Sequence, residues 1–236
     1  ISAKTSAILL NSPSNPTGSV WNDETITKLL TLAAKNNWLV ISDECYERLV
    51  YDNQYNSAES INNSEANVLT VQSMSKTYAM TGWRIGYTAG DSKIISAMAK
   101  IQGQATSCPN SISQKAAIEA LIGDQTEVDK MNKVFANRRN LMIDRLNRIN
   151  NVSCSNPGGA FYAFPNLSHY IGLSNKGKII DTSFALSDYI LDCAKMVTIA
   201  GSGFGSEGYI RFSYAADEAV FMEGINKLEK ALSDLN

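Results

Sequence analysis

The stretch AILLNSPSNPTGSVWNDETITKLLTLAAKNNWLVISDECY, residues 7 to 46, decides how the chain folds. Ala7 to Leu10 is a short continuous apolar run with the length of a buried strand, and it ends in the turn formers Asn11-Ser12-Pro13-Ser14-Asn15-Pro16-Thr17-Gly18. The two prolines bias the residues before them toward extended backbone, so the strand enters a stiff loop. Asn22 or Asp23 then caps a helix in which Ile26, Leu29, Leu30 and Ala33 fall at i, i+3, i+4 and i+7, and Asn36-Asn37 closes it. Trp38 to Ile41 is a second continuous apolar run. Strand, helix and strand in so short a span make a parallel βαβ crossover, which places the chain in the α/β class.

Working outward, polar residues gather just past each strand. Ser42, Asp43, Glu44 and Tyr46 follow the second run; Asn53 to Ala66 is a polar connection; Val68 to Val71 is a third apolar strand, and Ser73 to Lys76 follow it. In parallel α/β sheets ligands bind outside the carboxyl ends of the strands, so these clusters and Asn15 are candidates for chemistry. Arg84 to Thr88 reads as a fourth strand, and Asp91 caps a helix bearing Ile94, Ile95, Met98 and Ile101. Thr106 to Asn110, with Pro109, marks a boundary that divides the chain into domains over 1–108 and 109–236. Beyond it come helices near 111 to 122 and 125 to 149, then strands over Val152 to Ser155 and Ala160 to Phe164 around the turn Asn156-Pro157-Gly158-Gly159. A helix near 181 to 195, a strand Val197 to Ala200, a Gly-rich loop 201 to 208, a strand Tyr209 to Tyr214 and a helix near 217 to 235 complete a smaller α/β domain. Arg138, Arg139, Arg145 and Arg148 read as a solvated helix face. Arg211 differs from them, because an arginine inside an apolar strand calls for an anion.

Composition narrows the function classes. The 236 residues are 44% hydrophobic and 19% charged, as in globular proteins, and the formal charge of -2 gives no general pull toward nucleic acid or anionic membrane. No apolar run approaches bilayer length. Cys45, Cys108, Cys154 and Cys193 are scattered without a CxxC pair, and the single His169 makes no Cys/His metal cluster, so the thiols read as reduced and the protein as cytoplasmic.

Five motifs in this order, NPTG at 15 to 18, SDECY at 42 to 46, SMSKTYAMTGWRIGY at 73 to 87, GGAFYAF at 158 to 164 and YIRFSYA at 209 to 215, resemble the fold type I aminotransferases of class I that depend on pyridoxal 5'-phosphate (PLP). The resemblance is strongest to the aspartate aminotransferases of the bacterial Iβ subgroup. It implies that the chain is the C-terminal portion of a PLP-binding large domain, a mostly parallel sheet with flanking helices, followed by the small domain. It also implies that Lys76 holds PLP covalently and shuttles the proton at the substrate α carbon, and that Asp43 keeps the pyridine nitrogen protonated. Tyr46 and Asn15 hydrogen-bond the cofactor's phenolic oxygen; Ser73, Ser75 and Arg84 bind its phosphate; Asn15 and Arg211 bind the substrate, with Arg211 forking its α-carboxylate. Phe161 and Tyr162 stay in the core.

The partners so implied are an amino acid and a 2-oxo acid, aspartate and 2-oxoglutarate, turned over by a homodimer in a ping-pong reaction. Parts of the family's site that precede the first motif are missing from the sequence, so the chain reads as an incomplete aminotransferase with weak cofactor binding. The same residues serve a non-catalytic PLP-binding sensor, a prephenate, aromatic or alanine aminotransferase, or a PLP lyase.

Overall fold

The computed structural model describes residues 1–52 and 54–236; Asn53, where the expected polar connection begins, lies outside the described residues. The chain divides into two compact units, Ile1–Ser14 with Ser19–Asn132, and Asn15–Gly18 with Lys133–Asn236.

In the first unit, β1 (Ala7–Asn11), β2 (Leu39–Asp43) and β3 (Asn67–Ser73) run parallel, and β4 (Gly86–Ala89) closes the sheet antiparallel to β3. The βαβ expectation holds. Helix α1 (Asp23–Asn36) starts where the Asn22 side chain accepts from the Thr25 amide at 2.8 Å. It stops where Asn37 turns left-handed at φ 55°, a conformation asparagine tolerates. Ile26, Leu30 and Ala33 pack against Leu10, Trp38, Val40 and Val68. Each fully buried aliphatic side chain contributes about 1.5–3 kcal/mol there, which makes this face the anchor of the sheet. Strand register sets Asn11 beside Asp43 and Asp43 beside Val71, so β1 and β2 end level and β3 runs two residues further, to Ser73.

The short helix α2 (Met74–Thr77) follows β3 directly. Helix α3 (Ser92–Thr106) is capped by Asp91, as its sequence predicts, and α4 (Ser111–Ile122) by Asn110. Met74, Met80 and Ala117 form a small second core that holds α4 to the segment after β3. That packing keeps α4 in the first unit. The units therefore divide after Asn132, inside helix α5 (Thr126–Asn147), whereas the sequence reading divides the chain at 108/109.

In the second unit, β5 (Tyr162–Ala163), β8 (Ile199–Ala200) and β9 (Ile210–Ser213) form an antiparallel sheet in the order β5-β9-β8. Helices α6 (Ser183–Ala194) and α7 (Glu218–Ser233) bury Leu186, Ile190, Phe221, Ile225, Leu228 and Leu232. A hairpin of β6 (Ser174–Asn175) and β7 (Lys178–Ile179) turns through Lys176 and Gly177, both at positive φ, the signature of a primed two-residue turn.

Three expectations need correction. Val152 to Ser155 forms no extended strand: Ser153 makes one isolated bridge, to Asn166. Arg84 lies outside β4, in a left-handed turn at φ 53° that ends the helical turn Thr81–Trp83. Arg139 is no part of a solvated face. It is 4% exposed, with Nη1 donating to the Pro157 carbonyl at 3.1 Å and Nε to Asn140 Oδ1 at 3.0 Å.

Candidate functional site

The strand ends of the first unit carry the candidate chemistry. Asp43 is the last residue of β2, and its neighbour across the register, Asn11, donates Nδ2 to Asp43 Oδ2 at 3.1 Å. The Cys45 amide donates to the other oxygen, Oδ1, at 3.3 Å. With both oxygens engaged from fixed backbone positions, the carboxylate has a set orientation. The turn that follows is held by Glu44. Its buried Oε1 accepts from Ser42 Oγ at 2.8 Å, Ser57 Oγ at 3.1 Å and the Ala58 amide at 3.0 Å; Oε2 has no partner among the described residues.

Tyr46, 4% exposed, sits in that turn. Ser73 ends β3 and caps α2, its Oγ accepting from the Ser75 amide at 3.1 Å, and Lys76 follows one residue later, half-buried. Cys45 reports that these groups converge. Burial first, then the charge and hydrogen bonding of Asp43, push its thiol up to about 12, while the Lys76 charge and a hydrogen bond with Tyr46 pull it back. Asp43 and Tyr46 thus lie within hydrogen-bonding reach of this half-buried thiol, and the charge of Lys76 acts on it.

The Arg84 side chain is engaged within its own turn. The backbones of Ser73 and Gly86 pair across β3 and β4, and the Met74 amide donates to the Ile85 carbonyl at 3.2 Å, so Arg84 is close in the chain to the Ser73 strand end. Its guanidinium is exposed and Nη1 donates to the Thr81 carbonyl at 2.9 Å, within its own turn.

The second unit brings together the other two expected residues. Arg211 Nη1 donates to Asn15 Oδ1 at 2.7 Å across a sequence separation of 196. The Asn15–Gly18 segment is fixed to the turn at Pro157: the Gly159 amide donates to the Gly18 carbonyl at 2.9 Å, and Gly18 adopts φ +66°. A side chain there would put its Cβ 2.4 Å from Pro157 Cβ, so only glycine fits.

Sequence reasoning assigns no role in the site to Asn11 or Phe204, and places Tyr162 in the core and Arg139 on a solvated face. Asn11 was visible as a polar residue closing an apolar strand. Nothing in sequence distinguishes Arg139 from its neighbours on the helix, since its partner, the Pro157 carbonyl, lies 18 positions away.

The chain matches the family model "Aminotransferase class I and II" over residues 1–228. It is 39% identical over 241 residues to a protein of Rhizobium meliloti named aspartate aminotransferase, covering 100% of this chain and 58% of that protein. It is 36% identical to a probable aspartate/prephenate aminotransferase of Aquifex aeolicus, again over the whole chain and 59% of the relative. Among solved structures, the Rhizobium meliloti aspartate aminotransferase superposes with a TM-score of 0.94 at 38% identity, over 100% of this chain and 60% of that one. The aromatic aminotransferase of Pyrococcus horikoshii gives 0.90 at 35%, over 99% and 61%. The chain therefore spans 58–59% of the length of the curated relatives described.

Proposed function

As the chain belongs to the class I and II aminotransferases, a family of PLP-dependent enzymes, we propose that it forms part of an enzyme moving an amino group between aspartate and 2-oxoglutarate. The observation that carries this reading is that Asp43, Tyr46 and the charge of Lys76 all act on Cys45, just past the carboxyl ends of the neighbouring parallel strands β2 and β3. The names of the relatives favour aspartate as donor.

The donor set suits PLP. A primary amine answers its carbonyl, an oriented carboxylate answers a pyridinium, and hydroxyl and guanidinium donors answer a phosphate dianion. When bound, PLP supplies an electron sink that draws electrons from the bonds at the substrate's α carbon. Lys76 holds the cofactor covalently through Nζ. As a free amine, the same Nζ would serve as the base that takes the α proton and delivers it elsewhere.

Asp43, its oxygens tied by Asn11 and the Cys45 amide, favours the protonated pyridine nitrogen by its charge. Tyr46 and Asn15 donate to the phenolic oxygen, and Ser73, Ser75 and Arg84 hold the phosphate. For Arg84 this requires the guanidinium to leave the Thr81 carbonyl, an exposed contact that costs little to exchange. Arg211 forks the α-carboxylate common to donor and acceptor, which is why one site serves both half-reactions of a ping-pong course. The same reading makes the working unit a cytoplasmic homodimer; among the described residues no helix is long and apolar enough to cross a membrane.

Incubation with PLP, borohydride reduction and peptide mass mapping test the assignment. The expected result is one modified peptide, containing Lys76, absent from Lys76→Ala, together with oxaloacetate formation from aspartate and 2-oxoglutarate. Modification at a different lysine, or persistence in Lys76→Ala, overturns it.

A further inference from the structure

Arg211 lies against two aromatic rings for which the proposed chemistry has no use. Strand alternation in β9 buries Ile210 and Phe212 and turns Arg211 and Ser213 to the other face. Tyr162 in β5 stands across from Ser213, hence diagonal to Arg211, and the guanidinium carbon lies over its ring at 4.5 Å from the centroid. Phe204 ends the tight turn Gly201–Phe204 that follows β8, and the same carbon lies 5.3 Å from its centroid. Both distances are within cation–π range.

Neither ring is loosely held. Tyr162 is buried and packs on Phe161 at 4.7 Å; Phe204 meets Phe164 edge-on at 6.1 Å, and Phe164 stacks on Tyr209 at 5.1 Å. The turn that delivers Phe204 depends on Gly201, where a Cβ would come 2.2 Å from the Ser206 carbonyl oxygen.

We infer that Tyr162 and Phe204 are positioning residues that hold the Arg211 guanidinium flat, so that its N–H edge is presented to a carboxylate. A guanidinium has weakly hydrated faces and five donors confined to its plane. Rings therefore occupy the faces at little desolvation cost and leave the donors free to act. Asn15 Oδ1 takes one Nη1 hydrogen and fixes the rotation within that plane. A long side chain ordered in advance does not have to be ordered by the substrate, so affinity rises without a new contact to the ligand. The inference rests on the reading of Arg211 as the carboxylate fork.

The test uses the full protein and two readouts. One is the order of the Arg211 Nε–Hε group from nitrogen-15 relaxation, which needs no ligand and no turnover. The other is the dissociation constant of 2-oxoglutarate by calorimetry. Phe204→Leu keeps apolar volume and removes the π face, and should lower the order of Arg211 and weaken 2-oxoglutarate by about three- to tenfold. Phe204→Tyr should restore both. In an Arg211→Gln background, Phe204→Leu should change affinity less than twofold, because the ring acts only through the charge it faces.

Unchanged Arg211 order in Phe204→Leu overturns the inference, as does a Phe204→Tyr variant no better than Phe204→Leu. If Arg211→Gln binds 2-oxoglutarate as tightly as the parent, the carboxylate reading itself fails. The inference falls with it, and the relaxation data still report separately whether the rings order the side chain.

Discussion

Cys45 is a built-in probe of the charges around it, because the largest cause of its raised value is burial and the next are Asp43 and Lys76 acting in opposite directions. A thiol at about 12 has a thiolate fraction of roughly one in ten thousand at pH 8, and only the thiolate reacts. Iodoacetamide at that pH should label the exposed Cys108 and Cys193 and spare Cys45, with peptide masses as the readout. Removing the negative neighbour in Asp43→Asn should lower the thiol's value and speed its labelling; removing the positive one in Lys76→Gln should raise it and slow labelling further. Equal rates in all three proteins would mean that Asp43 and Lys76 do not converge on this thiol. Asp43 and Lys76 were legible in the sequence because each is a charge set just past a continuous apolar strand. Tyr162 and Phe204 were not, because an aromatic residue at a core position looks the same whether or not a guanidinium lies over it.

At the scale of elements, the sequence specified what local chemistry specifies. Asn22 and Asp91 appear as caps where their short side chains precede helical apolar spacing, and β1 and β2 emerge from uninterrupted apolar runs. Arg84 and residues 152 to 155 were misread for one reason: a short apolar-polar segment becomes a strand only if a neighbour of matching register is available, and that is a tertiary fact. Helix α5 shows the same limit. Its buried Met142 and Leu146 fit a core stripe, whereas buried Arg139 on the same helix was taken for solvated surface. Its contact with the Pro157 carbonyl makes it a brace between α5 and the turn that abuts Gly18. Arg139→Met preserves much of the apolar stem and strands that carbonyl without its charged donor, so denaturant unfolding should show a loss of about 2–3 kcal/mol. A loss under 0.5 kcal/mol, the range typical of surface substitutions, would return Arg139 to the solvated face.

For the molecule as a whole, the chain passes between its two compact units at Ser14/Asn15, Gly18/Ser19 and Asn132/Lys133. Asn15–Gly18 is thus four residues counted with the second unit, inserted between a strand and a helix of the first. Its attachment has a single weak point. Gly18 combines φ +66° with contacts that leave no room for a Cβ, 2.4 Å to Pro157 Cβ and 2.7 Å to the Gly159 carbonyl oxygen. Gly18→Ala therefore has to strain the backbone and push the Pro157 turn away, at a cost above about 1 kcal/mol. The strain is local to the second unit, so hydrogen exchange should quicken at Gly159 and in β9 while β1, β2 and β3 keep their protection. Asn15, three residues upstream, should lose its grip on Arg211, and 2-oxoglutarate should bind more weakly although Gly18 touches no charged group. Uniform loss of protection across both units would show instead that the units unfold as one, and unchanged exchange would show that the Asn15–Gly18 segment is not anchored through this glycine.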